Sequence, residues 1–277
     1  MSTILFSNFP WWFNDTPTTL RQGIRAGSRW PFTRPAHYAP DQFKFGSYLP
    51  FPFFLASAAA YAERAVDGQH TVIMRDSIAR GESVSTFYKY LLELKPDMLV
   101  IETGAASWEH DLEMLRAIKF AFPSIRIAVG GPIAKTAYEE HVKTGNAPCV
   151  TAWFQGEYEK SAVNFIEGED GLFPFNLLTR EQMNNLPYPM FDEACALNYW
   201  DACPDGQQAP HLQLMASRGC VYKCAFCAWP ATMTGNDPDG TSPRSVRHVS
   251  PEWMEGFIRH RMALAEAAGT PLRSVYF

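Results

Sequence analysis

The sequence lacks any apolar run approaching the roughly 18 residues that a membrane-spanning helix requires. Its opening, MSTILFSNFPWWFNDT, has neither the basic start nor the small-residue cleavage site of a secretory leader. Positive charge is not in excess: 24 Lys and Arg face 29 Asp and Glu, a formal net charge of -5. A nucleic-acid surface would need a basic stripe to meet phosphates, so that class of partner is not expected. Cysteine is scarce, with six in 277 residues, and half of them fall between Cys220 and Cys227. A disulfide framework would spread them along the chain, and a reducing compartment would not maintain it. These absences lead to the expectation of a cytoplasmic protein with neither a membrane nor a nucleic-acid partner.

What the chain does have is apolar residues, 47% of the total, enough to bury a core and to exclude disorder. Ile4–Ser7, Thr71–Asp76, Asp97–Thr103, Arg126–Gly131 and Cys149–Phe154 are short apolar runs and read as strands. Between them, Phe53–Ala65, Val84–Lys95, Trp108–Phe122 and Ala134–Lys143 show the three- and four-residue apolar recurrence of helices covering a sheet. The alternation predicts an α/β fold with a doubly wound parallel sheet over residues 1–168. A long loop, residues 9–52, interrupts it after the first strand and is rich in Pro, Gly and aromatics, Trp11, Trp12 and Trp30 among them. It leaves from a strand end, where open α/β sheets bind ligands. Residues 169–209 read as a connector containing LPYPMFD (Leu186–Asp192). Residues 210–277 read as a second unit. Its strand, His211–Gly219, runs into the cysteines; its helix is capped by Ser250 with Pro251 at the first position; Ser274–Phe277 is the next strand.

The cysteines are spaced C-x3-C-x2-C at Cys220, Cys224 and Cys227. Thiolates hold iron–sulfur clusters, and a four-iron cubane normally takes four of them. Three close ligands leave one iron open for chemistry. Structural zinc is the alternative, but it prefers C-x2-C pairs and four ligands. Only Cys224 and Cys227 form such a pair, with Cys220 as a third ligand and Cys203 or His211 as a distant fourth. Of the remaining cysteines, Cys149 reads as core and Cys195 fits no pattern. His37, His110 and His211 are given no catalytic role, because a lone histidine is more often a packing or surface residue.

The run SRGCVYKCAFCAWP (Ser217–Pro230) resembles the signature of radical S-adenosylmethionine enzymes. The resemblance implies a [4Fe–4S] cluster on Cys220, Cys224 and Cys227, on the loop after the first strand of a (β/α) barrel. It also implies S-adenosylmethionine on the open iron, with Phe226 near the adenine and Tyr222 as a further contact. Electron transfer from the reduced cluster would then yield a 5′-deoxyadenosyl radical, the protein supplying position and a dry pocket.

Together with the N-terminal domain, the chain resembles over nearly its full length the subclass that carries a Rossmann-like cobalamin-binding domain ahead of the radical barrel. RAGSRWP (Arg25–Pro31), YLPFPFFLA before and into the first helix, GGP (Gly130–Pro132), FQGEYE (Phe154–Glu159) and LPYPMFD carry that resemblance. It implies cobalamin against the strand ends, at Asn8, Thr103, Gly104, Gly130, Gly131, Pro132, Gln155, Gly156 and Glu157. Many cobalamin proteins ligate cobalt through D-x-H-x-x-G; Asp76–Gly81 has that spacing with Ile78 in the histidine position, but after the second strand rather than the first. The spacing is read as coincidence, Ile78 or a neighbour is placed facing the cobalt on topology alone, and no protein histidine is expected to bind it.

The implied activity is methyl transfer to an unactivated carbon or phosphorus of a small-molecule or peptide substrate, with flavodoxin or ferredoxin as electron donor. A non-methylating cyclase or rearrangement enzyme of the same subclass, a cofactor-binding fragment without turnover, and an electron-transfer or zinc protein are the competing readings. A full barrel needs about 200 residues, so the stretch from Leu212 to Phe277 is expected to be only its beginning, in a truncated chain or one completed by a partner.

Overall fold

A computed structural model describes residues 1–10, 49–105, 107–199, 210–222 and 246–276. Six parallel strands form one sheet in the order β2-β1-β3-β4-β5-β6. They are β1 (Thr3–Asn8), β2 (Thr71–Asp76), β3 (Met98–Glu102), β4 (Arg126–Gly130), β5 (Ala152–Trp153) and β6 (Gly171–Leu172). The order reverses at β1, which pairs with both β2 and β3 and is buried from Ile4 onward. The predicted doubly wound sheet is present. It continues past residue 168, since β6 pairs with β5. The predicted strand at Cys149–Phe154 pairs only over Ala152–Trp153, yet Cys149 is buried in the core as expected.

The sheet's two faces pack differently. Ile4, Phe6, Met74, Val100, Ala128 and Phe154 pack with α1 (Phe53–Val66) and, further along the chain, the helix Glu159–Ile166. Ala56, Ala58, Ala59 and Ala62 of α1 are completely buried, and their small side chains bring the helix close to the strands. The opposite face, with Leu5, Leu99, Ile101, Ile127 and Val129, is covered by α3 (Val84–Leu94), α4 (Trp108–Ala121) and, through Ala137, α5 (Ala134–Thr144). The helix start of α3 is set by Ser83, whose hydroxyl accepts from the Thr86 N–H at 3.0 Å. A short helix, α2 (Ser77–Arg80), follows β2, and α6 is the helix Glu159–Ile166.

The second unit departs from the expected single strand at His211–Gly219. The chain forms β7 (His211–Gln213), then β8 (Ser217–Gly219), which belongs to a different sheet. Strand β8 pairs antiparallel with β9 (Val246–His248). Strand β7 instead pairs parallel with β10 (Ser274–Tyr276). Between β9 and β10 runs α8 (Pro251–Ala267), after the short α7 (Arg180–Asn184) of the connector. The cap on α8 is as predicted: the Ser250 hydroxyl accepts from the Trp253 N–H at 3.1 Å, with Pro251 in the first turn. Its inner face buries Met254 and Phe257 against Leu212 and Leu214. Thus β7, α8 and β10 form a β–α–β crossover, and the β8–β9 ladder stands beside it at the two stems of the cysteine loop.

Candidate functional site

In a parallel sheet all carboxyl ends lie along one edge, and that edge is where open α/β folds bind ligands. Register places Asp76, Asn8, Glu102 and Gly130 in one row there. The side chains of Asp76, Asn8 and Glu102 point to the α1 side, because side chains in register on neighbouring strands share a face. Asp76, Asn8 and Glu102 are 0%, 2% and 9% exposed, a buried polar row above an apolar core. The Tyr158 hydroxyl donates to Glu102 Oε1 at 2.5 Å. Burial, reinforced by the Glu102 carboxylate, pushes the Tyr158 phenol well above its ordinary range. The Asn8 amide nitrogen is buried without a hydrogen-bond partner among the described residues. Such a donor is costly unless something accepts from it, so this edge fits a ligand with a polar acceptor.

The glycines at this edge are filled rather than open. A Cβ on Gly130 would sit 3.3 Å from the Tyr158 ring, and one on Gly131, at φ +115°, would be 2.1 Å from the Thr103 carbonyl oxygen. Gly131 therefore serves close strand-end packing. Thr103 donates its hydroxyl to Asp111 at 2.6 Å, and the Gly104 carbonyl accepts from the Trp108 N–H at the start of α4. Pro132 follows at the turn into α5 and is partly exposed. The Gln155 amide donates to the Phe173 carbonyl at 2.7 Å. Gly156, at φ +70°, lies where a Cβ would approach the Asn176 carbonyl oxygen to 2.4 Å.

The Asp76–Gly81 turn has a different task from the one its spacing imitates. Ile78 is packed in the core, 5% exposed. The Asp76 carboxylate accepts from the Ala79 N–H at 3.2 Å and from the Tyr199 hydroxyl at 3.0 Å. Its N–H donates to Asp192 at 3.0 Å, and Arg80 grips Asp192 with two 2.5 Å contacts. The Asp192 hydrogen bonds hold the Arg80 guanidinium's pKa above its usual value despite burial. Cys195 lies beside them, its thiol pushed strongly up by burial and then by Asp76 and Asp192. It is an inert buried thiol. The turn clasps the connector to the edge of the sheet.

Glu157, which the resemblance places against cobalamin, has both its side-chain oxygens engaged within the protein. Arg247 of β9 meets them at 2.6 and 3.0 Å, and the Leu178 N–H donates to Oε2 at 2.7 Å. Glu159, also fully buried, is contacted by Arg218 of β8 at 2.7 Å and accepts from the Ser57 hydroxyl at 2.8 Å. Neither arginine was singled out in the sequence. The available signal was position: Arg218 stands two residues before Cys220.

Of the three cysteines, Cys220 lies among the described residues, partly exposed just after β8, with its Sγ accepting from the Tyr222 N–H at 3.4 Å. Tyr222 is 66% exposed. Cys224, Cys227 and Phe226 lie outside the described residues, as do Trp11, Trp12 and Trp30, His37 and Cys203. No cluster of three metal-ligating side chains occurs among the described residues, two of the three thiols being outside them. A soft, thiolate-only donor set at C-x3-C-x2-C is chemically suited to iron–sulfur ligation. His110 and His211 are buried at α4 and β7. Burial lowers the His211 pKa, which favours a neutral packing residue. No described helix is long and apolar enough to cross a membrane.

No family model matches the chain, and no curated protein sequence matches it. Solved structures do resemble it. The cobalamin-dependent S-adenosylmethionine radical enzyme OxsB with aqua-cobalamin and S-adenosylmethionine bound aligns over 96% of this chain, with a TM-score of 0.59 and 15% identity. The apo form of that enzyme aligns over 98% at a TM-score of 0.55 and 14% identity. The form with aqua-cobalamin alone gives 0.56 and 13%. The chain spans about a third of the length of these proteins, 32–33%. At this identity the likeness establishes a shared fold alone.

Proposed function

We propose that this chain is the N-terminal part of a cobalamin-dependent radical S-adenosylmethionine enzyme, with methyl transfer as its reaction. The observation that carries the reading is one of placement. Strands β8 and β9, which flank the three-cysteine segment, are fixed to the carboxyl edge of a six-stranded parallel sheet, where a buried amide donor lacks a partner among the described residues. The fold shared with OxsB, itself bound to both cofactors, supports the same reading.

Cys220, Cys224 and Cys227 would hold a [4Fe–4S] cluster, with Phe226 and Tyr222 near S-adenosylmethionine. Asn8 and the strand ends at Thr103, Gly104 and Gln155 would face cobalamin. When bound, these groups supply one-electron cleavage of a sulfonium and methyl-group transfer, which no side chain could supply. The protein's own part is to orient and to exclude water. The apolar stack of Phe51 on Phe191, with ring centroids 4.1 Å apart, contributes by closing the connector over the sheet edge. The β7–α8–β10 crossover would be the first unit of the barrel, a small molecule or peptide the substrate, and flavodoxin or ferredoxin the electron donor.

Two measurements test this. The reduced, reconstituted protein is incubated anaerobically with S-adenosylmethionine. Methyl transfer predicts both 5′-deoxyadenosine and S-adenosylhomocysteine, whereas 5′-deoxyadenosine alone would place the protein with cyclases and rearrangement enzymes. Electron paramagnetic resonance of bound cob(II)alamin should show no nitrogen superhyperfine splitting from an axial ligand. Its appearance would contradict a histidine-free cobalt site.

A further inference from the structure

Both stems of the cysteine loop are anchored by one buried charge cluster. Arg218 and Arg247 are directly opposed in the β8–β9 ladder. Like charges facing each other across an antiparallel pair destabilise it, so the ladder alone would not favour this arrangement. Between and beneath them lie Glu157 and Glu159, both fully buried, on the segment that leaves β5 and enters α6. Arg247 makes a two-pronged contact with Glu157 and also donates to the Leu178 carbonyl. Arg218 contacts Glu159 at 2.7 Å and Glu157 at 3.6 Å, donates to the Ser57 hydroxyl at 3.1 Å, and lies 5.0 Å over the Phe54 ring. Two guanidiniums and two carboxylates balance in charge, which is the condition for burying such groups.

We propose that Glu157 and Glu159 are positioning residues that set where the cysteine loop sits against the carboxyl edge of the sheet. The proposal rests on reading that loop as the cluster site. Arg218 is two residues from Cys220, about 7 Å of extended chain, so fixing its guanidinium fixes the first thiol to within that reach. Arg247 fixes the returning stem to the same carboxylate. The α/β domain's own backbone is locked at this point, since the Glu157 N–H donates to the Asn176 carbonyl at 2.8 Å. Cofactors held by the two units would then keep one separation and orientation, as group transfer between them requires.

The test uses nitroxide labels carried on encoded p-acetylphenylalanine, which does not react with thiols, at the exposed positions Lys135 and His248. Pulsed electron paramagnetic resonance on the intact chain reads the separation of α5 from β9. The protein as sequenced should give one narrow distance distribution, with or without cofactors. Glu157→Gln should broaden and shift it at unchanged helix content. Glu159→Gln, which leaves the Arg247 contact intact, should broaden it less and serves if the first variant fails to fold. A Glu157→Gln or, in its place, Glu159→Gln distribution that superposes on the parent's would overturn the proposal. Iron uptake by the parent is scored separately. A parent that takes up no cluster refutes the functional reading while leaving the distance result interpretable.

Discussion

At the scale of single residues, the polar row on the sheet edge makes its own predictions. Tyr158 is buried and its pKa is raised, so in the folded state it keeps its proton at pH values where the unfolded chain has lost it. Stability from this group is complete below an unfolded pKa of about 10 and declines as pH rises beyond it. Urea unfolding of Tyr158→Phe should therefore fall less steeply between pH 9 and about 11 than the parent does. Parallel slopes would show that Tyr158 ionises as freely folded as unfolded. Asp192 is a second test. Asp192→Ala leaves the Arg80 guanidinium and the Asp76 N–H without their acceptor, and should cost about 2–3 kcal/mol. A loss under about 0.5 kcal/mol, the range of ordinary surface changes, would mean that the clasp does not hold the connector. None of these partnerships was legible beforehand. Asp76 and Asp192 are far apart in sequence, and only the folded sheet edge brings them together. The spacing of Asp76 and Gly81 was visible, but it reports a helix-capping turn: Asp76 accepts from Ala79, and Gly81 at φ +63° ends α2.

At the scale of elements, legibility followed burial pattern. Strands β1 to β4 and helices α1, α3, α4 and α5 were legible because the strands are continuous apolar runs and the helices are long enough to show their period, whereas β6, at two residues, and α6 were not read. Nor was the β7–β8 break, because Leu214, Met215 and Ala216 continue the apolar run while the chain passes from one ladder to another. Strand β9, at three residues, is too short to carry a pattern and depends on its partner. The resemblance places Gly131 and Gly156 against cobalamin; in the fold, the missing Cβ at each also lets two backbones approach. Gly131→Ala should cost several-fold more than Gly145→Ala. Gly145, at φ +66°, has nothing within 4 Å of its Cβ position, and only the left-handed backbone cost of about 1–2 kcal/mol applies there. Equal losses in thermal or urea unfolding would mean that the Thr103 carbonyl yields easily.

At the scale of the whole molecule, the proposed site draws on two units. The α/β sheet supplies an edge with a buried amide that has no partner among the described residues, and the second unit carries Cys220 just after β8, whose Arg218, like Arg247 of β9, is anchored beside that edge. The cysteine motif was the most legible part of the sequence because its meaning lies in local spacing. How the loop meets the sheet was not, because that depends on carboxylates at Glu157 and Glu159 meeting arginines at 218 and 247. The measurement closest to the centre of this account is iron, sulfide and zinc content after anaerobic reconstitution of the intact chain. The account predicts about four irons and four sulfides per chain, no stoichiometric zinc, and loss of the cluster in Cys220→Ala, Cys224→Ala and Cys227→Ala alike. About one zinc per chain with no sulfide, or a cluster that survives Cys224→Ala, would contradict it.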